Sequence, residues 1–171
     1  MEGKVKQPPV PVSKLAVLAG ATIRSGPLPM DLSGFLVRRE KSIILGVNSL
    51  HSRQRQRFTV AHEIGHLLLH PDNDHLDRGI SFYFRDDRSS QAEVREEIEA
   101  NQFAADLLMP KSMIDAFVVK HVDLMDDQVL AALASTFEVS TQALTFRLTN
   151  LGVAQNLAQR PPLRRKLRSI P

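Results

Sequence analysis

The middle of the chain contains His62, Glu63 and His66, and the spacing of the two histidines is typical of a metal site. Apolar residues recur there at intervals of three and four, which predicts a helix from Ser52 that Pro71 closes just after His70. Residues four apart lie about one turn apart on one helix face, so both imidazoles can bind one metal ion. Glu63 is then close enough to take a proton from water at the ion. The alternative is that both histidines only cap or pack the helix.

A metal site of this kind needs a third protein ligand, and an acidic stretch at residues 93–99 offers candidates. His70 extends the histidine series, but it lies about 12 Å along the helix from His62, too far for one tetrahedral ion. Small residues follow Glu97 at Ala100 and Ala104 and would let the two helices approach closely. We therefore favour Glu97 as the third ligand, whereas a solvated helix face is the alternative and suits the neighbouring acids well.

The surrounding patterns predict an α+β fold with a small antiparallel sheet packed on the site helices. A short helix is expected at 13–19, and two β-rich runs meet at residues 40–41. Residues 71–90 are rich in Asp, Gly and Ser, which indicates a surface loop that contains one short strand. The acidic helix and two or three further helices follow before residue 152.

Composition limits the classes of protein and of site. The chain has 171 residues, 43% hydrophobic and 24% charged, which is typical of a globular domain rather than a disordered chain. It contains no cysteine, which excludes disulfides, a thiolate nucleophile and cysteine-ligated zinc. Any metal must therefore bind to nitrogen and oxygen. No apolar run approaches about 18 residues, so we expect a cytoplasmic protein without a membrane partner.

Four segments are expected along the chain: a flexible leader at 1–12, a metallopeptidase-like domain at 13–121, a helical segment at 122–152 and a basic tail at 153–171. Residues 159–171 hold five of the 22 Lys and Arg and no acid, so the basic character belongs to the tail. By charge alone the tail can contact nucleic acid or an acidic partner, or it can simply be a solubilising end.

The helical segment is similar in pattern to a helix-turn-helix, with its turn at residues 138–140. Two features weaken a role in reading DNA. Glu138 occupies the turn position usually given to glycine, and residues 122–152 contain four acids against one base, Arg147. We favour a packing or substrate-docking module, although DNA contacts by Gln142 and Arg147 are the competing interpretation.

The stretches RFTVAHEIGHLLLHP, FRDDRSS and EEIEANQFAADLLMP closely resemble the ImmA/IrrE family of metallo-endopeptidases, from about residue 42 to residue 110. The resemblance implies a gluzincin-like site in which His62, His66 and Glu97 bind one zinc ion, or Mn²⁺ or another divalent ion. Glu63 would be the catalytic base, and Asn101 would contact one of the metal ligands and hold it in orientation.

The family resemblance also implies regulatory proteolysis of a helix-turn-helix repressor of the XRE or cI type, in stress, mobile-element or toxin-antitoxin settings. Tyr83, His70 and His75 are candidates for contacting the oxyanion or the substrate, although His70 also fits a helix C-terminus favoured by the dipole. The strand-like run at 42–49 could bind an extended substrate through its edge, or it could be an ordinary half-buried strand. The competing function is a DNA-associated regulator that keeps the scaffold without catalysis.

Overall fold

The fold is α+β, as expected, with six helices and four strands among the residues that the structure describes. The computed structural model describes residues 5, 7–40, 42–71, 75–77, 89–118 and 126–153. In chain order the elements are α1 (Val12–Leu18), β1 (Ala21–Gly26), β2 (Gly34–Arg39), β3 (Ser42–Asn48), α2 (Arg53–Leu69), β4 (His75–Asp77), α3 (Ser89–Leu108), α4 (Lys111–Val118), α5 (Asp127–Phe137) and α6 (Thr141–Asn150).

The four strands form one mixed sheet in the order β1-β3-β2-β4. β2 pairs antiparallel with both β3 and β4, but β1 pairs parallel with β3, from Ala21 opposite Ile43 to Gly26 opposite Asn48. The expectation of a wholly antiparallel sheet was therefore wrong at this one pairing. The parallel pairing arises because β3, the return strand of the hairpin, inserts between β1 and β2. No periodicity within a strand reports which neighbour it takes.

Strand β3 has no free edge, because it pairs with β1 on one side and with β2 on the other along its whole length. The suggested addition of an extended substrate to this strand is therefore wrong, since backbone pairing needs unpaired N–H and C=O groups. The alternative interpretation, an ordinary strand of the sheet, is the observed one.

Helix α2 is fixed at both ends by side chains. At its start, Ser52 Oγ accepts a hydrogen bond from the Arg55 backbone N–H at 3.3 Å. At its end, the Arg38 guanidinium on β2 donates through Nη2 to the carbonyls of His66 and His70, at 3.2 and 3.1 Å. The His66 carbonyl also accepts the His70 backbone N–H at 3.1 Å, so Arg38 adds a second donor there and provides a donor for the His70 carbonyl at the end of the helix. The helix carrying both histidines is thereby attached to the sheet.

Helices α2 and α3 approach closely at Gly65. A Cβ atom on Gly65 would lie 3.1 Å from the Ala100 Cα and 3.2 Å from the Ala100 carbonyl oxygen. Ala100 and Ala104 are both fully buried, as the small-residue spacing predicted. Backbone atoms of both helices meet at this contact. It therefore determines the distance between α3, which carries Glu97, and the two histidines on α2.

We therefore expect Gly65→Ala to separate the two helices and to destabilise the fold. The new methyl group meets backbone rather than a flexible side chain, and such overpacking typically costs about 1–3 kcal/mol of unfolding free energy. Urea unfolding measures the change. Gly26→Ala is the matched control, because a Cβ atom there meets nothing within 4 Å. Equal stability of the two variants would contradict the close approach at Gly65.

The core begins earlier than expected. Val10 and Val12 are buried, and the Val10 carbonyl accepts a hydrogen bond from Arg57 Nη2 at 3.0 Å. The end of the predicted flexible leader at 1–12 is therefore packed, because its alternating Val and Pro residues place two apolar side chains against α2.

No single described helix is long and apolar enough to cross a membrane, and the α5–α6 pair that reaches the required composition bends by 97° at its turn.

Candidate metal centre

Three potential ligand atoms converge between α2 and α3. The Nε2 atoms of His62 and His66 lie 3.1 Å apart. Glu97 reaches them from α3, with Oε1 at 3.0 Å from His66 Nε2 and Oε2 at 3.4 Å from His62 Nε2. Both histidines are buried, and Glu97 is almost so. The structure thus brings together the three residues that the sequence singled out, and they form a group able to hold a metal ion.

The spacing of these three ligand groups is close to that of one face of a zinc tetrahedron. With ligand bonds of about 2.0–2.1 Å, the edges of such a tetrahedron measure roughly 3.3–3.4 Å. The histidine nitrogens are 3.1 Å apart, and each lies within a few tenths of an ångström of this value from one oxygen of the Glu97 carboxylate, His66 at 3.0 Å from Oε1 and His62 at 3.4 Å from Oε2. Two imidazoles and one carboxylate form a donor set that suits zinc and leaves a fourth position free for catalysis. The residues therefore fit a divalent ion.

Asn101 lies where a supporting residue is needed. Its Oδ1 atom is 3.1 Å from Nδ1 of His62, one turn beyond Glu97 on α3. An oxygen acceptor there favours the tautomer that carries its proton on Nδ1, which leaves Nε2 free to bind the ion. The predicted orienting contact is therefore present in the structure.

Glu63 is fully buried on the side of α2 that faces strand β2. Its Oε1 atom lies 3.6 Å from the position that a Cβ on Gly34 would occupy, and that Cβ would also overlap Thr59 Cγ2. Gly34 is therefore required by Thr59 and by the Gly46 carbonyl, with which a Cβ would overlap, while the Glu63 carboxylate packs at ordinary contact distance from this position. Glu63 is not a member of the ligand group, and its role as the base stays a prediction.

The neighbouring acid Glu99 is turned away from the site. Its carboxylate accepts a hydrogen bond from Arg95 Nε at 2.8 Å, and this bond lowers the pKa of Glu99 below its usual range. Glu99 Oε2 also lies 3.7 Å from His70 Nε2. His70 lies beside His66, with ring centroids 5.5 Å apart and ring planes tilted by 54°, and it is not part of the ligand group.

The other two residues predicted to contact the oxyanion or the substrate are Tyr83 and His75, whose side chains lie outside the described part of the structure. Tyr83 lies outside the described residues, and His75 belongs to β4, where only the backbone is described. Conversely, no sequence pattern indicated the helix-end contact of Arg38 or the close packing at Gly34. Arg38 sits in an alternating strand where a surface position was equally plausible, and the packing at Gly34 depends on a helix distant in the chain.

The predicted helix-turn-helix-like segment is present as α5 and α6. Glu138 at the turn adopts the left-handed conformation, with φ of 52°, and its carboxylate pairs with Arg53 and Arg57 at 3.1 and 3.3 Å. A non-glycine residue is tolerated there because these ion pairs fix the turn to the start of α2. The segment is thereby attached to the domain that carries the metal centre.

Arg147, the single basic residue of the segment, is buried. It pairs with Asp106 of α3, and its Nε donates to the Met109 carbonyl at 3.1 Å. Its charge is therefore unavailable to a phosphate group, and the exposed residues of α6 are uncharged. This arrangement supports a packing role for Arg147 over DNA reading.

We expect Arg147→Met to lower the unfolding free energy by about 1–3 kcal/mol, because the Met109 carbonyl loses its donor inside the protein. Arg95→Met is the control, since Arg95 is exposed on α3 and its loss should leave the unfolding free energy nearly unchanged. Chemical denaturation of both variants tests the difference. A DNA-reading Arg147 would instead leave stability unchanged on substitution.

Comparison with known proteins agrees with this geometry. The model of the peptidase M78 family, described as the IrrE N-terminal-like domain, matches residues 20–149. The radiation response metalloprotease IrrE of Deinococcus radiodurans is 36% identical over 110 residues, which cover 64% of this chain and 31% of that protein. Its namesake from Deinococcus deserti is 37% identical over 121 residues, covering 71% and 41%. The chain thus spans about a third to two fifths of the length of these relatives.

A solved structure shares the fold. A Mycobacterium tuberculosis transcriptional regulator superposes with a TM-score of 0.58 at 19% identity, covering 88% of this chain and 41% of that one. At this identity the likeness concerns the fold alone. The family match extends over the sheet, both site helices and most of the α5–α6 segment, and therefore the chain belongs to the IrrE N-terminal-like family of metallopeptidases.

Proposed function

We propose that this protein is a zinc-dependent endopeptidase whose site consists of His62, His66, Glu97 and Glu63. The observation that carries the proposal is the convergence of His62, His66 and Glu97, whose nitrogen and oxygen atoms lie 3.0–3.4 Å apart, and α2 also carries the buried Glu63 carboxylate, which lies outside the ligand group. A purely structural site would need the three ligands but not Glu63.

Different residues of the chain have different roles in peptide hydrolysis. The ion, when bound, supplies Lewis acidity, which polarises the scissile carbonyl and acidifies water. The Glu63 carboxylate takes a proton from the attacking water and later passes it to the leaving amine. Asn101 holds the His62 ring in orientation, and Arg38 fixes the end of the helix that carries His66.

The proposed substrate is a helix-turn-helix repressor of the XRE or cI type, whose cleavage would relieve repression under stress or in a toxin-antitoxin pair. Support comes from the family membership and from the attachment of the α5–α6 segment to the catalytic domain through Glu138 and Arg147. A DNA-associated role through α6 has less support, because its only arginine is buried.

Metal removal and return provide the test. The protein is stripped with a chelator, reloaded with one equivalent of zinc, and incubated with the repressor encoded beside its gene and, separately, with casein. We expect fragments from the reloaded protein and none from the stripped protein, as read by intact-mass spectrometry. If the reloaded protein leaves both proteins intact, the endopeptidase proposal is wrong; if it cleaves casein alone, the repressor assignment is wrong.

A further inference from the structure

A groove of about 1030 Å³ extends from the metal centre along α3 to the α5–α6 segment. His62, Glu97 and Asn101 line it at the metal centre, and Gln142, Phe146 and Asn150 line it on α6. Its volume is at the upper end of the roughly 300–1,000 Å³ of small-molecule sites, which is enough for several residues of a polypeptide. The groove and the candidate catalytic site are therefore one continuous surface.

Beyond the metal centre the groove is lined by two cationic side chains, of which Arg147 is buried and paired, whereas Arg55 is exposed and keeps its charge. Arg55 donates to Ser33 Oγ from Nε and Nη2, at 3.2 and 2.7 Å. Arg147 is held by Asp106 and by the Met109 carbonyl. Apart from the Arg55 cation, the surface left for a ligand beyond the metal centre consists of apolar, hydroxyl and amide groups, which suits a segment of chain with apolar side chains.

Two large apolar side chains stand exposed in the groove. Ile98 on α3 is 63% exposed and Phe146 on α6 is 61% exposed. Helices form the walls, and their backbone groups are bonded within the helices, so recognition must come from side chains rather than from strand pairing. Burial of such side chains by a ligand would remove a substantial apolar area from water.

We propose that this groove binds the substrate polypeptide on one side of the scissile bond, and that Ile98 and Phe146 enclose an aliphatic or aromatic substrate side chain. The proposal rests on the proposed function, because continuity with the metal centre identifies the occupant as a substrate segment. It assigns the α5–α6 segment a role in choosing the substrate, which the metal centre alone cannot provide.

The test measures binding and cleavage separately with phage-displayed random 12-residue peptides. Zinc-loaded Glu63→Gln protein is used to select peptides, and the selection is repeated with Phe146→Ala and with Ile98→Ala added. Leu18→Ala is the matched control, because Leu18 is 81% exposed on α1, away from the groove. Unfolding midpoints of all variants verify that each remains folded.

We expect the selected peptides to share an aliphatic or aromatic residue at one position. Phe146→Ala and Ile98→Ala should each weaken binding of a synthetic copy of the best peptide by about 10-fold or more, and Leu18→Ala should not. Unchanged affinity and unchanged enrichment in both groove variants would overturn the groove proposal, even if the wild type cleaves its substrates. Groove-dependent binding without any cleavage by the wild type would instead support the groove and contradict the endopeptidase.

Discussion

Replacing Glu97 by glutamine is expected to weaken zinc binding by at least about 100-fold. Glu97 supplies the only negative charge among the three ligands, and both of its oxygens lie within 3.4 Å of a histidine Nε2. Substitution of residues that merely support a ligand typically costs 10–100-fold in metal affinity, so loss of the anionic ligand itself should cost more. Competition titration against a chromophoric zinc chelator measures the affinity.

Glu99→Gln is the matched control for this variant. It removes a carboxylate from the same helix two residues away, but the Glu99 carboxylate is bonded to Arg95 rather than directed at the centre. We expect its zinc affinity to equal that of the wild type. A weakened Glu99→Gln together with a normal Glu97→Gln would mean that the wrong carboxylate has been assigned.

The site could be predicted well from sequence because its geometry is mostly local. The four-residue spacing of His62 and His66 determines that they share a helix face. Glu97 is distant in the chain, but the small residues that follow it indicate where α3 can approach α2, and Gly65 completes that contact. The helical period therefore carried most of the necessary information.

Features that depend on distant neighbours could not be predicted in the same way. The parallel pairing of β1 with β3 depends on where the hairpin inserts, and an alternating strand pattern is the same for either partner. Likewise, a single arginine on a polar helix is expected to be exposed. Arg147 is buried instead, because Asp106 and the Met109 carbonyl lie opposite it. Pairing of a buried charge becomes visible only once the helices are in place.

Glu63→Gln is expected to lower the rate of peptide cleavage by about 10²–10⁴-fold while metal content and fold persist. Glutamine has nearly the same shape and fits the room beside Gly34, but it cannot accept the proton of the attacking water. Because Glu63 is not one of the three ligand atoms, zinc affinity should be that of the wild type. This separation of metal binding from activity distinguishes a catalytic base from a structural residue.

The most direct measurement follows the appearance of new amino termini over time in a substrate protein, with wild-type and Glu63→Gln protein at equal zinc content by elemental analysis. The account predicts steady release of termini by the wild type and a rate at least about 100-fold lower for the variant. Equal rates for the two proteins would contradict the assignment of Glu63 as the base and, with it, hydrolysis at this centre.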